Sequence, residues 1–107
     1  TSTNALTLNG ELYNVDGNSN RVAAMLFGPK KVVVVAGINK LVRDIDEAVL
    51  RVKSIAAPPN CVRLSKDTYC AKNGMCVSLK DPNSKMCDGN HCGRGIGILK
   101  RRLKYER

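Results

Sequence analysis

Tryptophan is missing from this 107-residue chain, and only four aromatic residues, one Phe and three Tyr, are present. Proteins that grip single-stranded nucleic acid stack its bases on aromatic side chains, so that mode of binding is poorly supplied here. Long apolar stretches are missing too. The longest, residues 32–38, runs seven positions if Gly37 is counted, whereas a membrane-spanning helix needs about 20. No segment has the charged start, apolar centre and small-residue cleavage site of a secretory leader. There is one histidine, His91, and neither Thr1, Ser2 nor Thr3 has it nearby in sequence, so no nucleophile–base pair is visible. The first 29 residues hold a single cation, Arg21, against Glu11 and Asp16.

What is present is a globular composition, 43% hydrophobic and 25% charged, of about one domain's length. The net charge is +9, and from Lys30 onward 17 basic groups face seven acidic ones, most densely in the tail from Lys100 to Arg107. That balance suits phosphate, nucleic acid or an acidic protein. With so few aromatics, a solvated basic face is a better reading than a nucleic-acid interface. The chain opens without methionine, which predicts a fragment or a processed product.

Five cysteines all fall between Cys61 and Cys92. An odd count without a leader argues against a secreted disulfide scaffold and for reduced thiols in the cytoplasm, or for a metal site or its remnant. Cys70, Cys76, Cys87, His91 and Cys92 supply enough donors for zinc, which takes four ligands or three plus water. A histidine among thiolates favours zinc over an iron–sulfur cluster. No C-x2-C pair is present, however, and the spacings match no compact zinc ribbon, so structural thiols are the competing reading.

Along the chain, Leu6, Leu8 and Leu12 alternate with polar residues around Asn9-Gly10, the strongest short hairpin signal. Residues 16–20 are turn formers, and Asn20 is expected to cap a helix over residues 21–27 that Gly28 closes and Pro29 keeps from continuing. Four consecutive valines within residues 31–36 predict a strand buried on both faces, as in a parallel sheet covered by helices. Asp44 with Glu47 reads as a capping box. It opens a helix whose stripe is Ile45, Ala48, Val49, Val52 and Ile55, and which Pro58-Pro59 is expected to end. Residues 60–64 form a short helix or strand, 65–94 a long cysteine-containing loop, and 95–99 a last strand before the basic tail. This order is α/β.

Two loops carry candidate binding groups. Asp16, Asn18, Asn20 and Arg21 can offer hydrogen bonds and one fixed cation to a carboxylate or phosphate; a turn with a helix cap needs the same residues and no ligand. After the valine run, Gly37 permits close backbone approach, and Lys40 can neutralise an anion. An ordinary strand-to-helix connection is the alternative there.

The blocks Thr1-Ser-Thr-Asn-Ala-Leu-Thr, Asp16-Gly-Asn-Ser-Asn-Arg-Val-Ala-Ala, Phe27-Gly-Pro-Lys-Lys-Val and Val35-Ala-Gly-Ile-Asn-Lys follow one another as in the lactate-utilisation (LUD) domain family. Ala56-Ala-Pro, Asn60 and Arg63-Leu64 continue the match. The chain resembles the C-terminal half of that domain, closely over 1–64 and loosely over 65–107. The resemblance implies a partial α/β domain similar to the NagB/RpiA/CoA-transferase group, with a mostly parallel sheet flanked by helices. Ligands in such sheets favour the crevice beyond the strand carboxyl ends, expected here at residues 1–4 and 37–40. The family often has two cysteines three apart in its late region; Leu79 stands where the partner of Cys76 would fall.

The resemblance implies an accessory or small-anion-binding protein in oxidation of lactate to pyruvate, alongside iron–sulfur lactate-utilisation subunits. Asn4, Asp16, Asn20, Arg21, Asn39 and Lys40 would line its small carboxylate or phosphate site. An enzyme acting on a phosphosugar or acyl-CoA, and a basic module binding nucleic acid or an acidic protein, are the other two readings. An exposed sheet edge in a half-domain also predicts self-association.

Overall fold

The computed structural model describes residues 1–87 and 95–100. Strands β1 (Ala5–Thr7) and β2 (Leu12–Asp16) form the expected antiparallel hairpin, with Ala5 opposite Tyr13 and Leu6 opposite Leu12. Its turn closes through a Gly10 N–H to Thr7 C=O bond of 2.9 Å, with Gly10 at φ 81°. That backbone conformation costs glycine nothing and most other residues a good deal.

Helix α1 (Asn20–Phe27) follows and stops at Gly28. A Cβ there would stand 2.1 Å from the Ala24 carbonyl oxygen, so only glycine fits the exit. After α1 come a 3-10 turn (Ile38–Lys40) and β3 (Leu41–Val42), which pairs parallel to β1. The last strand, β4 (Gly95–Leu99), lies antiparallel to β2, giving the order β3-β1-β2-β4. The sheet is therefore mixed rather than mostly parallel. The two-stranded turn at Asn9-Gly10 is too short for a parallel crossover, and β4 returns beside β2 in the opposite direction.

Helices cover both faces. Tyr13, Ala5 and Val42 face helix α2 (Ile45–Arg51), where Ala48 and Val52 complete a buried core joined by Val15, Val49, Ala56 and Ala57. On the other face α1 crosses close to β4. A Cβ on Gly97 would come 2.7 Å from Val22 Cγ1, which explains the glycine. The hairpin buries the opposite side from the one its leucines suggest. Ala5 and Thr7 are buried while Leu8 is 67% exposed, because small residues let α2 approach the sheet through Ala48.

Two further expectations are corrected. Asp44 caps α2 as read, its Oδ1 accepting from Glu47 N at 2.9 Å. The helix does not end at Pro58-Pro59, however. It passes through a π turn (Val52–Ala56) into α3 (Ala57–Arg63), with proline at the first positions of the new segment. The wider π turn, with Ala57 N–H bonded to Val52 C=O, resets the ladder where the prolines lack N–H groups. It also shifts the stripe's phase, so Ala56 packs on the core and Ile55 is left 56% exposed.

The valine run is likewise no buried strand of this sheet. Residues 31–36 are extended, and Val33 and Val35 are 64% and 72% exposed. Their backbone makes one parallel bridge, Thr1 N to Val33 O at 3.0 Å and Val35 N to Thr1 O at 2.9 Å. The apolar pattern is that of a two-sided strand, but Val33 and Val35 stay exposed while Val34 and Ala36 on the other side are only half-buried. Residues 60–64 are helical as part of α3. The cysteine-containing region contains a short helix, α4 (Tyr69–Asn73), capped by Thr68, and a 3-10 turn (Val77–Leu79). No helix among the described residues is long and apolar enough to cross a membrane.

Candidate anion-binding cleft

The hairpin, α1, the 3-10 turn and the π–α3 segment enclose an open cleft of about 920 Å³. One wall is the start of the chain, Ser2 to Asn4, with Asp16 and Arg21, and Arg51 is held against it; the α3 side brings Asn60, Arg63 and Lys66. Ala56, Ala57 and Cys61 lie between them, and Lys40 lines it too. The crevice lies beyond the carboxyl end of the extended valine segment, where Lys40 follows Gly37. It also meets the amino end of β1, so it is not purely a carboxyl-end site.

Arg21 is the best-supported side chain in it. Nη1 donates to Ser2 O at 3.0 Å and Asn14 Oδ1 at 3.1 Å; Nη2 donates to Asn4 Oδ1 at 2.8 Å and Val15 O at 3.2 Å. Asn14 is fully buried and Thr3 nearly so, the Thr3 hydroxyl lying 3.0 Å from Asn14 Oδ1. The planar guanidinium thus ties the hairpin to the residues before β1 through uncharged oxygens. Such a fork is something lysine cannot reproduce. Asn4 works in the same network, its Oδ1 also accepting from Val15 N at 3.0 Å.

Asp16, not Asn20, caps α1. Its Oδ2 accepts from Arg21 N at 2.8 Å and Val22 N at 3.2 Å, placing the carboxylate at the positive end of the helix. The loop curls back far enough for this because Ser19 takes a left-handed conformation, φ 61°. Of the residues singled out from sequence, Asn4, Asp16, Asn18, Arg21 and Lys40 come together in the cleft. Asn20 and Asn39 are exposed and lie outside its lining.

Lys40 Nζ donates to Ser2 Oγ at 2.8 Å. Arg51 Nε donates to Asn4 O at 3.2 Å, and Arg63 Nη2 to Asn60 Oδ1 at 2.7 Å. None of Arg21, Lys40, Arg51, Arg63 or Lys66 is paired with a carboxylate among the described residues, whose ion pairs are Arg43–Glu47, Lys72–Asp67 and Lys100–Glu11. Sequence reading missed Asn60, Arg63 and Lys66 as site residues because it stopped the helix at Pro58, and it passed over Arg51 inside the helix it did expect. The signal for Arg51 was its place three residues beyond Ala48, on the flank of the apolar stripe.

The thiols sit deeper. Cys61 and Cys70 are buried, and the Cys61 thiol is within hydrogen-bonding range of Thr68 and Cys70, with Cys87 also close enough to act on its charge. Thr68 Oγ1 lies 3.3 Å from Cys70 Sγ, whereas Cys76 Sγ is 3.1 Å from Ser78 Oγ. Burial pushes the Cys61 thiol pKa up, Thr68 pulls it down, and Cys70 and Cys87 push it up further. Among the described residues no three His, Cys, Asp or Glu groups are arranged to hold a metal ion, and the donor sets of Cys70 and Cys76 point to different partners. His91 and Cys92, counted as zinc donors from sequence, lie outside the described residues.

The family model of the LUD domain matches residues 1–92. This chain belongs to the LUD-domain family. No curated protein and no solved structure matches it. The match extends past the closely similar first 64 residues and into the cysteine-containing region, so α3, α4 and the far wall of the cleft are part of this LUD domain.

Proposed function

We propose that this LUD domain is a small-anion-binding protein serving lactate utilisation, and that the cleft between the Arg21 wall and α3 is its binding site. One observation carries the reading: among the described residues, five cationic side chains line a concave site with a single carboxylate, Asp16, which is already engaged at the α1 N-terminus. A cleft lined by one sign of charge focuses its field and concentrates counter-ions. The association of LUD domains with lactate utilisation supports a carboxylate as one such anion.

Lys40, with protons beyond the one given to Ser2, and the terminal nitrogens of Arg51 are the contacts that fit an incoming anion. Arg21 holds the wall to which they are attached. Oxidation of lactate to pyruvate would then fall to iron–sulfur partner subunits, with the Lys40–Ser2 pair, 2.8 Å apart, serving here as an anion contact and its support. The described cysteines, Cys61, Cys70, Cys76 and Cys87, are free thiols, which suits action in the cytoplasm. The exposed valines of residues 31–36 support self-association through that segment, and sedimentation showing only monomer at all concentrations would count against it.

The binding test is calorimetric titration of the chain with lactate and with inorganic phosphate. Saturable binding of either, lost in Lys40→Ala with the fold intact by circular dichroism, is the expected result. Absence of heat with both anions, or unchanged affinity in Lys40→Ala, would overturn the reading.

A further inference from the structure

We infer that the ligand of this cleft carries two separated, phosphate-class anionic groups rather than one carboxylate. The inference rests on the cleft being an anion site and goes on to name the class of anion. Its observation is the arrangement of the cations in two tiers. Lys40 and Arg51 are half-buried, against Ser2 and Asn4, while Arg63, the last residue of α3, and Lys66 just beyond it are exposed.

Arg51 and Arg63 stand on one continuous helical run. Twelve residues of helix place their backbones on the order of 15–18 Å apart, and Arg51 is held inward by its bond to Asn4 O while Arg63 is held by Asn60 at the end of α3. Between the tiers the floor is Ala56, Ala57 and Cys61, which offers neither charge nor a bulky obstruction. A molecule lying along this floor would meet positive charge at each end and small uncharged side chains in the middle.

Charge balance points the same way. Four cations beyond Arg21 share the cleft without a carboxylate partner among the described residues, so they repel one another whenever the site is empty. A monocarboxylate neutralises one charge. A phosphate monoester carries roughly −1.5 to −2 at neutral pH and three acceptor oxygens, so two such groups match the four cations in both number and hydrogen-bonding capacity. Among the described residues no aromatic side chain lines the cleft, so a nucleobase would find no stacking surface there, and recognition falls on the anionic groups.

The test uses the intact chain and three probes at one ionic strength: lactate, inorganic phosphate and fructose 1,6-bisphosphate, whose phosphates sit at opposite ends of a short carbon chain. The bisphosphate is expected to bind at least about tenfold tighter than either single-group anion, as focused charge predicts. The double variant Arg63→Ala/Lys66→Ala should bring it down to the level that inorganic phosphate shows in the same variant. A control pair outside the cleft, Lys30→Ala/Arg43→Ala, removes the same charge and should leave the preference intact. Equal affinity for bisphosphate and phosphate, or a control pair that matches the outer-tier variant, overturns the inference while leaving single-anion binding standing. No binding of any probe overturns both readings.

Discussion

The two walls of the cleft carry the same sign of charge and handle it in opposite ways. On the hairpin side, Arg21 makes four hydrogen bonds, all to protein oxygens, and Asp16 is closed onto the first turn of α1. On the α3 side, Arg63 has one neutral partner in Asn60, and Lys66 sits exposed with no carboxylate beside it among the described residues. A cation with four of its five donors satisfied internally is structural first, because a ligand could engage most of it only by displacing those bonds. One with free donors on a concave surface is available to solvent or to an anion. The difference separates residues that shape the site from residues that can bind in it, although all are arginine or lysine lining one cavity.

Removing Arg21 should have the largest consequence. Arg21→Met leaves Asn14 and Asn4 without their charged donor in a part-buried setting, which costs roughly 3 kcal/mol. Arg21→Lys should recover little of that, since an ammonium cannot fork between Nη1-side and Nη2-side acceptors. Urea unfolding measures both; a loss under about 1 kcal/mol would return Arg21 to the ligand-binding set. Next comes Gly97→Ala, also on this side. Its new Cβ would stand 2.7 Å from Val22 Cγ1, and overpacking α1 against β4 should cost about 2 kcal/mol. An unchanged unfolding midpoint would mean that α1 can shift away from β4 without loss.

Across the cleft, effects on stability should be smaller. Asp44→Ala removes the Oδ1 bond to Glu47 N and should cost about 1 kcal/mol, with α2 helicity falling in the circular dichroism spectrum. Lys66→Ala should change stability by no more than about 0.5 kcal/mol, because its side chain is exposed at the end of α3. A large destabilisation there would erase the contrast between the walls.

Much of the scaffold was legible because it depends on local chemistry. Asn9-Gly10 requires a turn, Gly28 an exit, and Asp44 with Glu47 a helix start; each lies within a few residues of its cause. Features decided by distant partners were not. Asp16 rather than Asn20 caps α1 only because Ser19 turns the loop back, and the buried side of the hairpin follows from how closely Ala48 packs. The valine run reads as a strand from composition, but pairing partners decide whether such a run is buried, and among the described residues it meets Thr1 alone by hydrogen bonds. Proline was the most misleading residue. Its usual meaning, the end of a helix, is cancelled by the π turn before it, and with that error went the whole α3 wall of the site.

The smallest effect concerns a thiol that belongs to neither wall but lies between them. Cys61 lines the cleft yet is 5% exposed, and burial leads the causes that raise its pKa. A thiol whose folded pKa lies above its unfolded value stays protonated longer in the native state. Its contribution to stability is fully present below the unfolded pKa and is lost as pH rises through the folded one. The native protein should therefore lose a little stability in the alkaline range above the ordinary thiol pKa, and Cys61→Ser should flatten that limb without altering the neutral-pH slope. Reactivity gives a second readout, since only the thiolate attacks an alkylating reagent. At neutral pH, iodoacetamide followed by peptide mapping should label the more accessible Cys76 ahead of Cys61. Cys61 labelling first would show a lowered pKa and an exposed sulfur, and would turn this residue from part of the cleft floor into a reactive group facing the ligand.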